Sequence, residues 1–75
     1  MGGGHSMPLL FASVGDEVVV KNVGGSLDVK QHLNEIGFNA GASITVIQKI
    51  STGLIVKVKE SRIAIDKSMA SKIMV

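Results

Sequence analysis

Leu33-Asn34-Glu35-Ile36-Gly37-Phe38-Asn39-Ala40-Gly41 reads as the end of a helix, a forced reversal and the launch of a strand. Gly37 follows the last apolar residue of a helical pattern, where helices often end in a left-handed residue that glycine occupies without strain. With Gly37 as the first residue beyond the helix, Phe38 is expected to pack on Leu33, the contact that accompanies a Schellman-type stop. Four residues on, Gly41 offers a second positive-φ position, so Asn39-Ala40-Gly41-Ala42 fits a type II turn. Two glycine-dependent turns this close tie one helix at a fixed angle to a strand beginning near Ser43.

Upstream, Leu9 to Val14 forms an apolar entry and Gly15-Asp16 a turn signal. Glu17 to Val23 is rich in β-branched residues and reads as one strand, with three consecutive valines that imply two covered faces or a bulge. Gly24-Gly25 ends it, Ser26 offers a helix cap, and Asp28 suits the positive end of the helix that follows. Val29, Leu33 and Ile36 make one helical stripe. That helix is about three turns long and needs a sheet beneath it to persist.

Downstream, Ile44 to Lys49 is a second strand and Ser51-Thr52-Gly53 a turn. Leu54 to Lys59 is a third, with a clean period of two that turns Leu54, Val56 and Val58 inward and Ile55, Lys57 and Lys59 outward. A turn at Glu60-Ser61 would set Val58 opposite Ile63, Val56 opposite Ile65 and Lys59 opposite Arg62 in a fourth strand, Arg62 to Ile65. Asp66 can cap a helical turn around Ser68-Met69-Ala70, and Lys72 to Val75 returns as a fifth strand. Five short strands with one inserted helix imply an all-β, partly open small barrel.

Composition narrows the function. The 75 residues make one small domain, and 45% of them are hydrophobic, enough to rely on an apolar core alone. Residues 1–6 (Met-Gly-Gly-Gly-His-Ser) read as an expression remnant ahead of a natural start at Met7, leaving residues 7–75 as the domain. There is no cysteine, hence neither a disulfide framework nor a thiolate metal site. No apolar run approaches the roughly 18 residues of a membrane span, and no signal peptide is evident, so the cytoplasm is the expected location. The net charge of +2 is uneven: residues 43–75 carry five lysines and Arg62 against Glu60 and Asp66. A basic half can serve nucleic acid, but two phenylalanines as the sole aromatics leave little for base stacking.

The Gly-Gly loop, the helix ending in Leu33-Asn34-Glu35-Ile36-Gly37-Phe38, the turn at Gly41 and the closing Arg62-to-Ile73 segment together resemble the FeoA family, ferrous iron transport protein A. The resemblance runs from about Leu9 to Val75. It implies an SH3-like β-barrel and a small cytosolic accessory of ferrous iron uptake. It also implies a partner, the cytosolic region of the membrane iron permease with a GTPase domain (ferrous-iron transport protein B). Contact with the membrane would then be only through that partner, with a weak homo-oligomer as a further possibility.

Candidate sites are few. Asp28, His32 and Glu35 share one helical face, and a carboxylate–imidazole–carboxylate set would suit Fe²⁺, Mn²⁺ or Zn²⁺. An exposed helix supplies no outer shell to orient such ligands, so the set reads more simply as solvated surface, and no cofactor is required. Fe²⁺ binding is supported by no ligand motif. Gly24-Gly25 before a helix lacks the lysine of a P-loop and the third glycine of a dinucleotide fingerprint. With no cysteine, no tyrosine and one histidine beyond the leader, no catalytic constellation can be assembled, and no enzymatic activity is expected. There remain Ile55, Lys57, Lys59, Arg62 and Ala64 on the outer face of the third and fourth strands, an apolar centre within a basic rim, expected to bind a protein partner. The structural positions are Gly24, Gly25, Leu33, Gly37, Phe38 and Gly41. The alternatives to a protein-binding accessory are a small barrel that binds a transition metal or nucleic acid.

Overall fold

The computed structural model describes residues 7–75; the leader read as an expression remnant, residues 1–6, lies outside the described residues. The elements run from a 3₁₀ turn (Leu9–Phe11) through β1 (Glu17–Val19), β2 (Asn22–Val23) and α1 (Leu27–Ile36). They continue through β3 (Ser43–Ile50), β4 (Gly53–Val58), β5 (Ser61–Asp66), α2 (Lys67–Lys72) and β6 (Ile73–Met74). Among the described residues two antiparallel sheets form, β1-β3-β4-β5 and β2-β6.

The helix stop forms as its glycine demands. Gly37 has φ 122°, its N–H donates to the Asn34 carbonyl at 3.1 Å, and the Phe38 N–H donates to Leu33 at 2.9 Å. These are the two bonds of a Schellman motif, and Leu33 and Phe38 are both fully buried in the core. The Ala42 N–H closes on the Asn39 carbonyl at 2.9 Å with Gly41 at φ 91°, the glycine-bearing position of a type II turn. Ser26 caps α1 through Val29 N–H at 3.3 Å, and Asp66 caps α2 through Met69 N–H at 2.7 Å. Each cap satisfies a donor that the helix leaves orphaned, typically worth ~1 kcal/mol.

Leu54, Val56 and Val58 all face inward and are buried, and Leu9, Val20, Ile44, Val46, Ile65 and Ile73 are among the residues that join them, with Leu33 and Phe38, in the core. Leu33 is the buried centre of the helical stripe, while Val29 and Ile36 pack half-buried at its borders. Gly53 begins β4 where a Cβ would run into the Ile65 carbonyl and the Asp66 backbone, so this turn admits no side chain.

Three expectations are corrected. The segment Glu17–Val23 is two strands: Val20 donates to the Ala42 carbonyl at 2.9 Å, then Lys21 donates to Met74 at 2.7 Å, and the chain passes from one sheet to the other. Neither a bulge nor two covered faces explains its valines. Val18 is half-buried, Val19 is 51% exposed and Val20 is buried, a period of two that ends at the crossing. Among the described residues the strands therefore number six, and the one extra residue in a ladder lies in β3, where Val46 pairs Val56 and Gln48 pairs Ile55.

The third correction is the β4–β5 register. Val56 pairs Ile63, Leu54 pairs Ile65, and Lys57, not Lys59, stands opposite Arg62. The turn is Lys59-Glu60, with Val58 opposite Ser61. Lys59 has φ 57°, so the chain reverses through a primed-type turn without the glycine such turns favour. A shift of two residues keeps every side chain on its own face, which is why the inward set was still right.

Candidate functional site

The outer face of the four-stranded sheet is built by register. Glu17, Thr45, Lys57 and Arg62 form one row across β1, β3, β4 and β5, and Gln48, Ile55 and Ala64 form the next. Lys59, in the turn, extends the basic end. Lys57, Lys59, Arg62 and Ala64 are exposed, and Ile55 is half-buried between them. Among the described residues no ion pair or side-chain hydrogen bond engages Lys57, Lys59 or Arg62. Ile55, Lys57, Arg62 and Ala64, singled out from the sequence, thus share one face, and Lys59 borders it from the turn. A groove of about 330 Å³ opens beside them, lined by Glu17, Ala42, Ser43, Thr45, Lys57 and Lys59. Glu17 and Thr45 had no signal in the sequence, because their place on this face depends on which strands become neighbours.

Asp28, His32 and Glu35 are exposed on α1. Among the described residues no group of three or more histidine, cysteine, aspartate or glutamate side chains lies close enough to hold a metal ion. His32 instead borders a second groove, of about 370 Å³, between α1, β5 and α2. Gly24 and Gly25 serve the loop: Gly24 N–H donates to the Lys72 carbonyl at 2.7 Å and Gly25 has φ 96°. No helix among the described residues is long and apolar enough to cross a membrane.

Against known proteins, the FeoA domain model matches residues 7–75. The chain belongs to the FeoA family. It is 40% identical over 68 residues to "Putative Fe(2+) transport protein A" of Methanocaldococcus jannaschii, covering 91% of this chain and 83% of that one. Its fold matches the crystal structure of an iron uptake regulatory protein (FeoA) with a TM-score of 0.86 at 32% identity over 95% of each chain. It also matches zinc-bound FeoA of Stenotrophomonas maltophilia, a prokaryotic SH3 domain protein, with a TM-score of 0.76 at 26% identity over 89% of this chain and 86% of that one. This FeoA domain therefore has the SH3-like fold and belongs to a family of ferrous iron transport. Its outer β4–β5 face is a feature of the sheet's register and its α1 face a solvated helix surface.

Proposed function

We propose that this FeoA domain is a non-enzymatic, cytosolic accessory of ferrous iron uptake that docks on the cytosolic region of the membrane iron permease bearing a GTPase domain. The observation that carries the reading is the clustering of Lys57, Lys59 and Arg62 around Ile55 and Ala64, with none of the three charges engaged by a neighbour among the described residues. An apolar centre within a charged rim is the anatomy of a protein interface. Lys57 and Arg62 oppose one another in the free protein, so an acidic partner relieves a repulsion as well as adding attraction. The ion-binding alternative finds less support. The S. maltophilia relative carries zinc, but in this chain Asp28, His32 and Glu35 form no cluster.

The test is binding of the chain to the permease's isolated cytosolic region, with and without Fe²⁺, by biolayer interferometry. Reversing Lys57 and Lys59 to glutamate should slow association, because the charges steer encounter. Ile55→Asp should act on dissociation, because it spoils the apolar centre. Folded variants that bind like the parent would leave this face a charged sheet surface with no docking role.

A further inference from the structure

β5 closes one side of the four-stranded sheet, and among the described residues no strand pairs with its outer edge. The two-residue turn at Lys59-Glu60 determines which backbone groups that edge carries. In such a hairpin the flanking pair, here Val58 and Ser61, exchanges hydrogen bonds, and every second pair after it does the same. Ser61, Ile63 and Ile65 therefore bond to β4, while the N–H and C=O of Arg62 and Ala64 and the N–H of Asp66 point outward. Among the described residues no turn or loop hydrogen bond takes up these groups. Of the devices that commonly blunt an edge, proline and a bulge are absent here: the six residues hold unbroken register.

We propose that this edge pairs with the same edge of a second copy of the chain, antiparallel and centred on Ala64. A two-fold axis at Ala64 sets Ala64 opposite the second copy's Ala64, and Arg62 opposite the second copy's Asp66, twice over. Arg62, Ala64 and Asp66 are all exposed and share the outer face, so the paired charges meet side by side at both ends of the contact. Opposite charges directly across a ladder stabilise it, and the small central pair lets the backbones approach. Centring on Arg62 would satisfy the same hydrogen-bond alternation but place Arg62 against its own copy, so charge selects the Ala64 register. The groove of about 370 Å³ leaves open space beside Ala64 and Asp66, with His32 of α1 and Met69 of α2 among its walls. The result is one continuous eight-stranded sheet carrying both copies' basic patches on the same face.

The experiment uses the chain alone, so its outcome is separable from permease binding. Sedimentation velocity across a concentration series should show the mass rising towards twice that of the monomer. The amide signals of Arg62 and Ala64 should shift on dilution in nuclear magnetic resonance spectra. Arg62→Asp sets carboxylate against carboxylate and should weaken association about tenfold or more, and Asp66→Lys should do the same by opposing cations. Mixing the two variants should restore association, because each then presents the opposite charge to the other. Asp66 also caps α2, so circular dichroism checks that variant, and the parent's dilution shifts decide the matter if it fails to fold. A chain that stays monomeric to millimolar concentration, dilution shifts confined to other residues, or a dimer indifferent to Arg62→Asp overturns the proposal.

Discussion

Lys57 and Arg62 face each other across the β4–β5 ladder, both exposed and on the outer side of the sheet. Like charges in directly opposed positions destabilise a sheet, though solvent screens an exposed pair. Arg62→Glu should therefore raise the stability of the free domain by about a few tenths of a kcal/mol, seen as a small rise in Tm at low protein concentration. An unchanged or lower Tm would show that the pair carries no repulsion.

Lys59 holds φ 57° at the tip of that hairpin, a conformation that costs a side-chain-bearing residue energy and glycine almost none. Lys59→Gly should stabilise the fold by about 0.5–1 kcal/mol, read as a higher urea midpoint at constant slope. The same change should slow association with the permease, since it removes one charge of the basic rim. Stability and binding would then move in opposite directions at a single position.

Gly37 combines two constraints. Its φ of 122° is one that L side chains rarely adopt, and a Cβ there would lie 3.0 Å from Val58 Cγ1. Gly37→Ala should cost about 1–3 kcal/mol, more than a typical surface substitution. A thermal melt superimposable on the parent's would mean that neither the strain nor the contact matters.

His32 should be dispensable for any metal affinity. Calorimetric titration of His32→Ala with Fe²⁺ or Zn²⁺ is expected to match the parent. Loss of a tight site in that variant would restore Asp28, His32 and Glu35 as a ligand set.

Much of this was legible from residues whose meaning is local. Gly37 and Gly41 announce positive φ, Ser26 and Asp66 announce caps, and Leu54, Val56 and Val58 announce a face by alternation alone. The β4–β5 register was not, because it hangs on Lys59 taking a backbone conformation for which lysine carries no signal. The break at Val20 and Lys21 was equally hidden: both halves are ordinary strand residues, and only Ala42 and Met74, distant in sequence, decide where each one bonds. The site divides along the same line. Ile55 and Lys57 share a face through one strand's own period, whereas Glu17 and Thr45 join them through pairings between strands and Lys59 reaches the same groove from the turn.

The β2–β6 closure sets an order of assembly. β3, β4 and β5 pair with their immediate neighbours along the chain, but Asn22 and Val23 wait for Met74 and Ile73, and Met7 and Val75 bond each other through both N–H groups. Bringing remote segments together costs loop entropy that adjacent hairpins do not. The β3–β5 meander is therefore the expected nucleus, and the second sheet closes after the barrier has been crossed. In stopped-flow chevrons, Val56→Ala should slow folding, while Ile73→Ala should leave folding nearly unchanged and speed unfolding. The seam between the two ends of the domain would then govern how long the native state lasts rather than how fast it is reached.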